Sequence, residues 1–484
     1  MLRDETSCSR KSGKEISAVL RNPQDSLRRS ITNYCMTITR RIAVDVLHRS
    51  RARDGFVGEL IDEALTTAKL TPPDRRFVTQ LVFGVVRRAG TLDALLKPYI
   101  RIPLHAVEPR VWDVLRLGAY QLVFLTHVPP HAAVHETVEL AGHIGTMKAK
   151  GFINGVLRRV SELVTNDFTA KPSAQAVPMD QQYRRLTGPV LPNPATDAPG
   201  YFATAFSFPQ WLANKWLDRY GLEECTRLGF WFNAPPPLWI RVNKLRTSRE
   251  NYRLALAAAL IEAEPGEHPQ SLRLTENHSI RDLPGYAEGD FAVQDHSSML
   301  VASALGAQPG MRILDVCAAP GGKTSHLMEL MDNRGHITAC DIEAKRLETV
   351  TTLCQRLQLQ GIETVTLRED EPPPQGPFDA AIVDVPCSNT GVIGRRPEVR
   401  WRLKPNEFQY LIRLQTRLLI EAIERVKPGG AVVYSTCSIE PDENEGVVNA
   451  VRRGMRGVVV EAEHRSAPGK PSDGGYWARL RRPK

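Results

Sequence analysis

Ile313-Leu-Asp-Val-Cys-Ala-Ala-Pro-Gly-Gly-Lys-Thr324 is the stretch that decides the fold of this chain. Residues 313–317 form a short apolar run of the kind that makes a buried strand, 318–322 a turn, and Lys323 opens a helix. Glycines let the backbone approach a ligand closely, and the first turn of a helix offers free N–H groups. The same grammar repeats downstream. Strands are expected at 312–316, 336–340, 364–367, 380–383 and 431–434, with a last one at 475–480. Helices are expected between them at 323–331, 343–359 and 408–426. Strand–helix alternation with continuous apolar strands predicts a parallel, doubly wound sheet.

Three ligand classes compete for such a turn. A P-loop needs G-x-x-x-x-G-K-[ST]. Gly322-Lys323-Thr324 matches its end, but Cys317 stands where its first glycine belongs, which argues against ATP hydrolysis. A dinucleotide site needs G-x-G-x-x-G, which is absent. The third class is S-adenosylmethionine, whose folds use a looser turn. Asp341 ends the second strand at the point where a nucleoside-binding α/β fold holds the ribose hydroxyls. A carboxylate there also serves as a helix N-cap.

Two thiols follow the fourth and fifth strands, in Asp384-Val-Pro-Cys387-Ser388 and Tyr434-Ser-Thr-Cys437-Ser438. Strand ends are where open α/β sheets place their chemistry. Either cysteine alone reads equally as a small buried hydrophobe. Together, downstream of a cofactor turn, they point to a nucleophile and a helper. Carbon 5 of cytosine is a poor nucleophile. A thiolate adding to carbon 6 makes carbon 5 enamine-like, able to take a methyl group, after which a base removes the carbon-5 proton and the thiol leaves. A free thiol of pKa about 8.5 is only slightly ionised at neutral pH. Lys323 and the segment 395–402 are the candidates to supply the positive charge that ionises it. The target base must also leave its stack to enter a pocket. Arg395, Arg396, Arg400 and Trp401 interleave cations with an aromatic ring, the pattern of single-stranded RNA binding, although a surface loop with one buried Trp is the plainer alternative.

At 484 residues the chain is expected to hold two or three domains. Its 42% hydrophobic and 24% charged residues are those of a soluble globular protein. No apolar run approaches a membrane span and no secretory signal is evident, so no membrane partner is expected. A net charge of +9 favours a polyanionic partner. The eight cysteines are scattered without C-x-x-C or Cys/His metal spacing, which predicts a cytoplasmic setting, no zinc and no disulfide framework. Cys340 and Cys354 are expected to be packing residues. Residues 1–38 read as a polar arm, with Met36 as an alternative start. Residues 39–165 read as an all-α domain, 166–205 as a Pro-rich linker, 206–300 as a small α/β RNA-binding subdomain and 301–484 as the catalytic domain.

These segments resemble the RNA 5-methylcytosine methyltransferase family of the Sun, or nucleolar-protein, type. The resemblance lies in Leu314-Asp-Val-Cys-Ala-Ala-Pro-Gly-Gly-Lys-Thr324, in Asp384-Val-Pro-Cys-Ser-Asn-Thr-Gly391, and in Tyr434-Ser-Thr-Cys-Ser438 with Glu443-Asn-Glu445. Val385 and Asn389 stand where that family more usually has Ala and Gly. The resemblance implies a Rossmann-like class I methyltransferase domain in which Cys437 is the nucleophile and Cys387 assists product release. It implies that Asp384 contacts the cytosine and borders the cofactor. Cys317, Ala318, Ala319, Pro320, Gly321, Gly322, Lys323 and Asp341 would hold S-adenosylmethionine. A further family carboxylate, usually within Gly-Asp-Gly, aligns with Glu369, next to Asp370, without the flanking glycines. In the N-terminal half, Leu81-Val-Phe-Gly-Val-Val-Arg87, Leu115-Arg-Leu-Gly-Ala-Tyr-Gln-Leu122, Val128-Pro-Pro-His131 and Gly151-Phe-Ile-Asn-Gly155 are similar to a NusB-type RNA-binding domain. Asn233-Ala-Pro-Pro-Pro237 and Arg241-Val-Asn243 resemble the segment that precedes the catalytic domain. This combination is the layout of bacterial enzymes that methylate cytosine in small-subunit (16S) ribosomal RNA. It needs no obligate protein partner. Another RNA substrate, or a non-catalytic RNA-binding scaffold, are the competing functions; the joint presence of Cys387, Cys437 and Asp384 argues against the scaffold.

Overall fold

The computed structural model describes residues 38–51, 56–276 and 278–484. The expected arm up to residue 37, and the alternative start within it, lie outside the described residues. The chain divides into two compact units that meet at Thr165 and Asn166.

The first unit is helical: α1 (38–51), α2 (Val57–Thr67), α3 (Pro72–Leu96), α4 (Pro109–Phe124), α5 (Pro130–His143) and α6 (Lys150–Leu163). Proline punctuates these elements from within, since Pro72, Pro109 and Pro130 each begin a helix, where no N–H is needed. Thr71 caps α3 through its side chain, which accepts from Asp74 N. Gly84 of α3 faces the Tyr120 ring of α4, and a Cβ there would lie 2.0 Å from Tyr120 Cζ. The glycine therefore sets how closely the two helices pack. Gln121 is buried among them, accepting from Arg40 Nε at 2.9 Å and donating to Thr137 at 3.3 Å.

The boundary falls within β1 (Val164–Thr169), which is followed by β2 (Ala176–Met179), β3 (Gln182–Leu186), α7 (Ala198–Ala205) and α8 (Gln210–Asn233). The expected Pro-rich linker at 166–205 is thus wrong. The strands form a sheet in the order β1-β3-β2, with Asp180 and Gln181 at positive φ in the tight turn between β2 and β3. Tyr183, Leu191, Tyr201, Phe202, Phe206 and Phe208 pack with Trp216 and Phe232 of α8 in one aromatic core. That core takes Ile393 and Val399 from far along the chain. Helix α8 contributes its buried side chains to this core.

The small α/β subdomain follows as β4 (Leu238–Val242), α9 (Arg249–Ala258), β5 (Ala263–Pro265), β6 (Ser271–Leu274) and β7 (Phe291–Val293). Its strands make an antiparallel sheet in the order β5-β6-β4-β7.

The remaining elements are α10 (His296–Ala304), β8 (Arg312–Val316), α11 (Gly322–Leu330), β9 (His336–Asp341), α12 (Ala344–Arg356), β10 (Ile362–Thr366), β11 (Phe378–Asp384), α13 (Val399–Arg402), α14 (Glu407–Arg425), β12 (Val426–Thr436), α15 (Glu445–Gly454), β13 (Val459–Ser466) and β14 (Gly475–Arg481). They build a seven-stranded sheet in the order β10-β9-β8-β11-β12-β14-β13. The first five strands are parallel, as expected, but β14 and β13 run antiparallel, so the sheet is mixed. Strand residues alternate between faces. Ile313, Ile337, Ile382 and Val433 pack under α10, α11 and α12, while Leu314, Val383, Val432 and Tyr434 pack under α14 and α15. Burial on both faces is why these strands read as unbroken apolar runs. Cys354 and Cys340 lie in these two cores as packing residues.

A buried ion pair joins the small sheet to the large one. Arg241 of β4 donates to Glu329 of α11 through Nη2 at 2.7 Å and Nε at 3.2 Å. It also donates to Gly322 O at 2.8 Å and Ser325 Oγ at 3.0 Å. Gln270 adds a third donor to Glu329, at 2.8 Å. Burial pushes the Glu329 pKa up against the opposing pull of Arg241. Arg241→Met should therefore leave a stranded carboxyl and lower stability by about 3–5 kcal/mol in urea unfolding, whereas Arg241→Met with Glu329→Met should recover most of that loss.

Candidate active site

Because β9, β8, β11 and β12 are parallel neighbours in that order, their carboxyl ends lie along one edge of the sheet. This brings together Asp341, the turn 317–323, Asp384 and Cys437. The turn is tightly folded. Cys317 has φ 63° and Gly321 φ 98°, and a Cβ on Gly321 would meet Val350 Cα at 3.0 Å. Ala319 N donates to Asp341 Oδ2 at 3.2 Å, and Arg346 donates to Ala319 O at 3.0 Å. Lys323 Nζ donates to Asp384 Oδ2 at 2.6 Å, while Ser435 Oγ donates to Asp384 Oδ1 at 2.7 Å. Asp315, inside the quoted stretch but not singled out from it, accepts from Thr324 Oγ1 at 2.6 Å. Burial, reinforced by the Asp384 charge, pushes its pKa up to about 7. Its Oδ1 is buried without a partner among the described residues. The loop after β10 comes alongside through Leu367 N, which donates to Asp341 O at 2.9 Å. Glu369 is exposed two residues further on, and Asp370 pairs with Arg417 at 2.9 Å.

Two of the expected RNA contacts are corrected. Arg400 is fully buried in the aromatic core over the Phe208 ring, where it donates to Phe206 O, Ser207 O, Asn233 Oδ1 and Phe232 O. Arg395 is clamped between Asp473 and Asp295, the latter at 2.9 Å, and also donates to Pro237 O at 3.0 Å. Both are internal staples. Their partners lie 78 to 194 positions away in the chain, out of reach of any local pattern. Neither can supply the charge sought beside the thiol. Arg396 is partly exposed and Trp401 is 41% exposed.

The two thiols meet, with Cys387 Sγ 3.2 Å from Cys437 Sγ. The Cys387 pKa is raised well above the ordinary thiol value, first by its hydrogen bond with Cys437, then by burial, by the charge Cys437 carries once ionised, and by that of Glu443. Cys387 therefore keeps its proton at neutral pH. Cys437 is partly exposed. For Lys323, burial is the largest influence and works to lower the pKa. The charge and hydrogen bond of Asp384 and the charge of Cys437 outweigh it, so the ammonium stays charged. Lys323 is thus the fixed cation facing Cys437.

Glu443 organises both cysteine loops, and the sequence assigned it no role. Its carboxylate accepts from Ser388 N at 2.8 Å, Ser388 Oγ, Ser438 Oγ at 2.6 Å and Gln415 Nε2 at 2.9 Å. Ser388 follows Cys387 and Ser438 follows Cys437, so one side chain fixes both thiols. Tyr434 Oη donates to Glu443 O at 2.5 Å, and Gly391 N to Cys437 O at 2.9 Å. Glu443→Gln turns an acceptor into a donor facing other donors. It should lower kcat by about 10²-fold with little change in KM, measured by steady-state methyl transfer to RNA.

Among the described residues no cluster of three or more His, Cys, Asp or Glu side chains is arranged to hold a metal. No described helix is long and apolar enough to cross a membrane. The family model for 16S rRNA methyltransferase RsmB/F matches residues 302–469. The NusB family matches 37–162, and the ferredoxin-like domain of RsmF/B-like methyltransferases matches 208–281. The probable ribosomal RNA small subunit methyltransferase B of Synechocystis sp. is 38% identical, over 85% of this chain and 88% of its own length. Its counterpart from Bacillus subtilis is 33% identical, over 86% and 88%. The crystal structure of PH0851 shares the fold with a TM-score of 0.74 at 22% identity, over 92% of this chain and 98% of its own. NSun6 from Pyrococcus horikoshii, solved with SFG, gives 0.53 at 22% identity, over 57% and 99%. The chain belongs to the ribosomal RNA small subunit methyltransferase B family.

Proposed function

We propose that the protein methylates carbon 5 of a cytosine in 16S ribosomal RNA, with S-adenosylmethionine as methyl donor and a transient bond from Cys437 Sγ to carbon 6 of the ring. The observation that carries this reading is the thiol pair, 3.2 Å apart at the ends of adjacent strands beside the Lys323–Asp384 ion pair. The donor set on the same edge suits the cofactor: a folded turn at 317–323, Asp341 at the end of β9, and a buried Asp315 oxygen without a partner among the described residues. S-adenosylmethionine, when bound, supplies an electrophilic methyl group. Glu369 is the candidate for a further contact from the neighbouring loop.

The chain's own residues do the rest. Asp384, fixed by Lys323 and Ser435, presents a hydrogen-bond acceptor to the polar edge of the base. Lys323 favours the thiolate of Cys437, which adds to carbon 6 and pushes an electron pair toward carbon 5. In the adduct Cys437 is a neutral thioether, so the charge and hydrogen bond that hold the Cys387 proton are gone. Cys387 can then release that proton to solvent and take the carbon-5 proton after methylation. The Cys437–carbon-6 bond breaks, its electron pair returns to sulfur, and one proton is released overall. Residues 39–165, together with Arg396 and Trp401, are the parts we assign to RNA binding.

Cys437→Ala should abolish methyl transfer while RNA affinity, measured by filter binding, stays within about twofold. Unchanged turnover would refute the nucleophile assignment. Cys387→Ala should instead trap protein on RNA, visible as a slow band on a denaturing gel; its absence would remove Cys387 from the release step.

A further inference from the structure

Asn389 touches both cysteine loops in a way that the mechanism above does not use. It lies at φ 57°, in the left-handed region that Asn and Gly tolerate best. Its Nδ2 donates to Cys387 O at 2.8 Å. Its Oδ1 lies 3.0 Å from Cys437 Sγ and accepts from Arg396 Nη1 at 3.3 Å. These partners fix the direction of the amide. Turned over, it would set an oxygen against Cys387 O and a donor against Arg396. A carbonyl oxygen therefore faces the sulfur, which satisfies an S–H but repels a thiolate.

From this geometry we infer that Asn389 is a positioning residue that keeps Cys437 as a protonated thiol until a base is seated. The inference rests on Cys437 being the nucleophile. Lys323, paired with Asp384, draws the sulfur toward the thiolate. Asn389 Oδ1 opposes it from the other side. Cys387, with Glu443 behind its loop, and Arg396, through the same amide, are the other ionisable or charged groups facing the sulfur. Activation requires the amide to turn away from Sγ, after which the thiol proton passes to solvent and the thiolate faces Lys323 alone. A Gly at this position would offer the sulfur no such acceptor. The resting thiol of this chain is therefore better guarded against alkylation and oxidation than a bare site would be.

The test is the rate of Cys437 alkylation by iodoacetamide, read on the Cys437 peptide by mass spectrometry at pH 7 and pH 10. Asn389→Gly keeps the backbone conformation, and removing one hydrogen bond to the thiol should raise the pH 7 rate about tenfold. At pH 10 the two rates should converge, because loss of the S–H removes the bond that Asn389 Oδ1 accepts. Asn389→Asp, which sets a negative charge on the same spot, should slow alkylation at pH 7. Equal pH 7 rates in the Gly variant, or equal acceleration at both pH values, would overturn the inference, the second outcome showing that the amide only restricts access. The readout needs no methyl transfer, so it can fail while Cys437→Ala still abolishes activity, and the two readings are separable.

Discussion

The site depends on one buried carboxylate. Two thiols at adjacent strand ends do not meet by default, because each loop is free to leave the sheet in its own direction. Glu443 removes that freedom by accepting from the residue after each cysteine. A carboxyl group held out of water costs several kcal/mol unless its oxygens are filled. Here Ser388 of one loop fills both oxygens, with Ser438 of the other loop and Gln415 adding one donor each. Opening the Cys387 loop would leave one oxygen to Gln415 and the other to Ser438, so the arrangement that places the sulfurs together is also the one that best fills the buried acid. The arrangement is set before substrate arrives, as electrostatic preorganisation requires.

A second tie runs across the sheet. Lys323 lies at the start of α11, after the turn 317–321, and Asp384 ends β11. Their contact couples the region that would receive the methyl donor to the group that would orient the cytosine. The same ammonium faces Cys437. One cation thus serves two partners, and its raised pKa keeps it charged for both.

Much of this was legible in the chain itself. The parallel strands stood out because burial on both faces leaves no polar alternation to blur them, and β8 was bounded correctly at both ends. Cys387, Cys437, Asp384 and the turn all follow strand ends, so the strand order places them along one edge of the sheet. What escaped notice was non-local or polar. β13 carries Glu461, Glu463, His464 and Arg465 on the exposed edge of the sheet, so it has no apolar signal. The hairpin of β2 and β3 is too short for periodicity, and its aromatic neighbours come from α7 and α8. Arg395 and Arg400 looked like a phosphate-binding run because their true partners, Asp473, Asp295 and a set of backbone carbonyls, lie far away in sequence. Glu443 and Asn389 were inside quoted motifs, yet only the third dimension shows what they hold.

Arg241 limits how freely this architecture can be rearranged. Its guanidinium sits on β4 of the small sheet but holds both ends of α11, the Gly322 carbonyl at its start and Glu329 near its end. The accessory sheet is accordingly not a detachable attachment to the enzyme. A chimera that exchanged it for another module would have to carry over the Arg241-Val-Asn243 segment, or the turn 317–323 would lose its brace even though no residue in that turn had been altered.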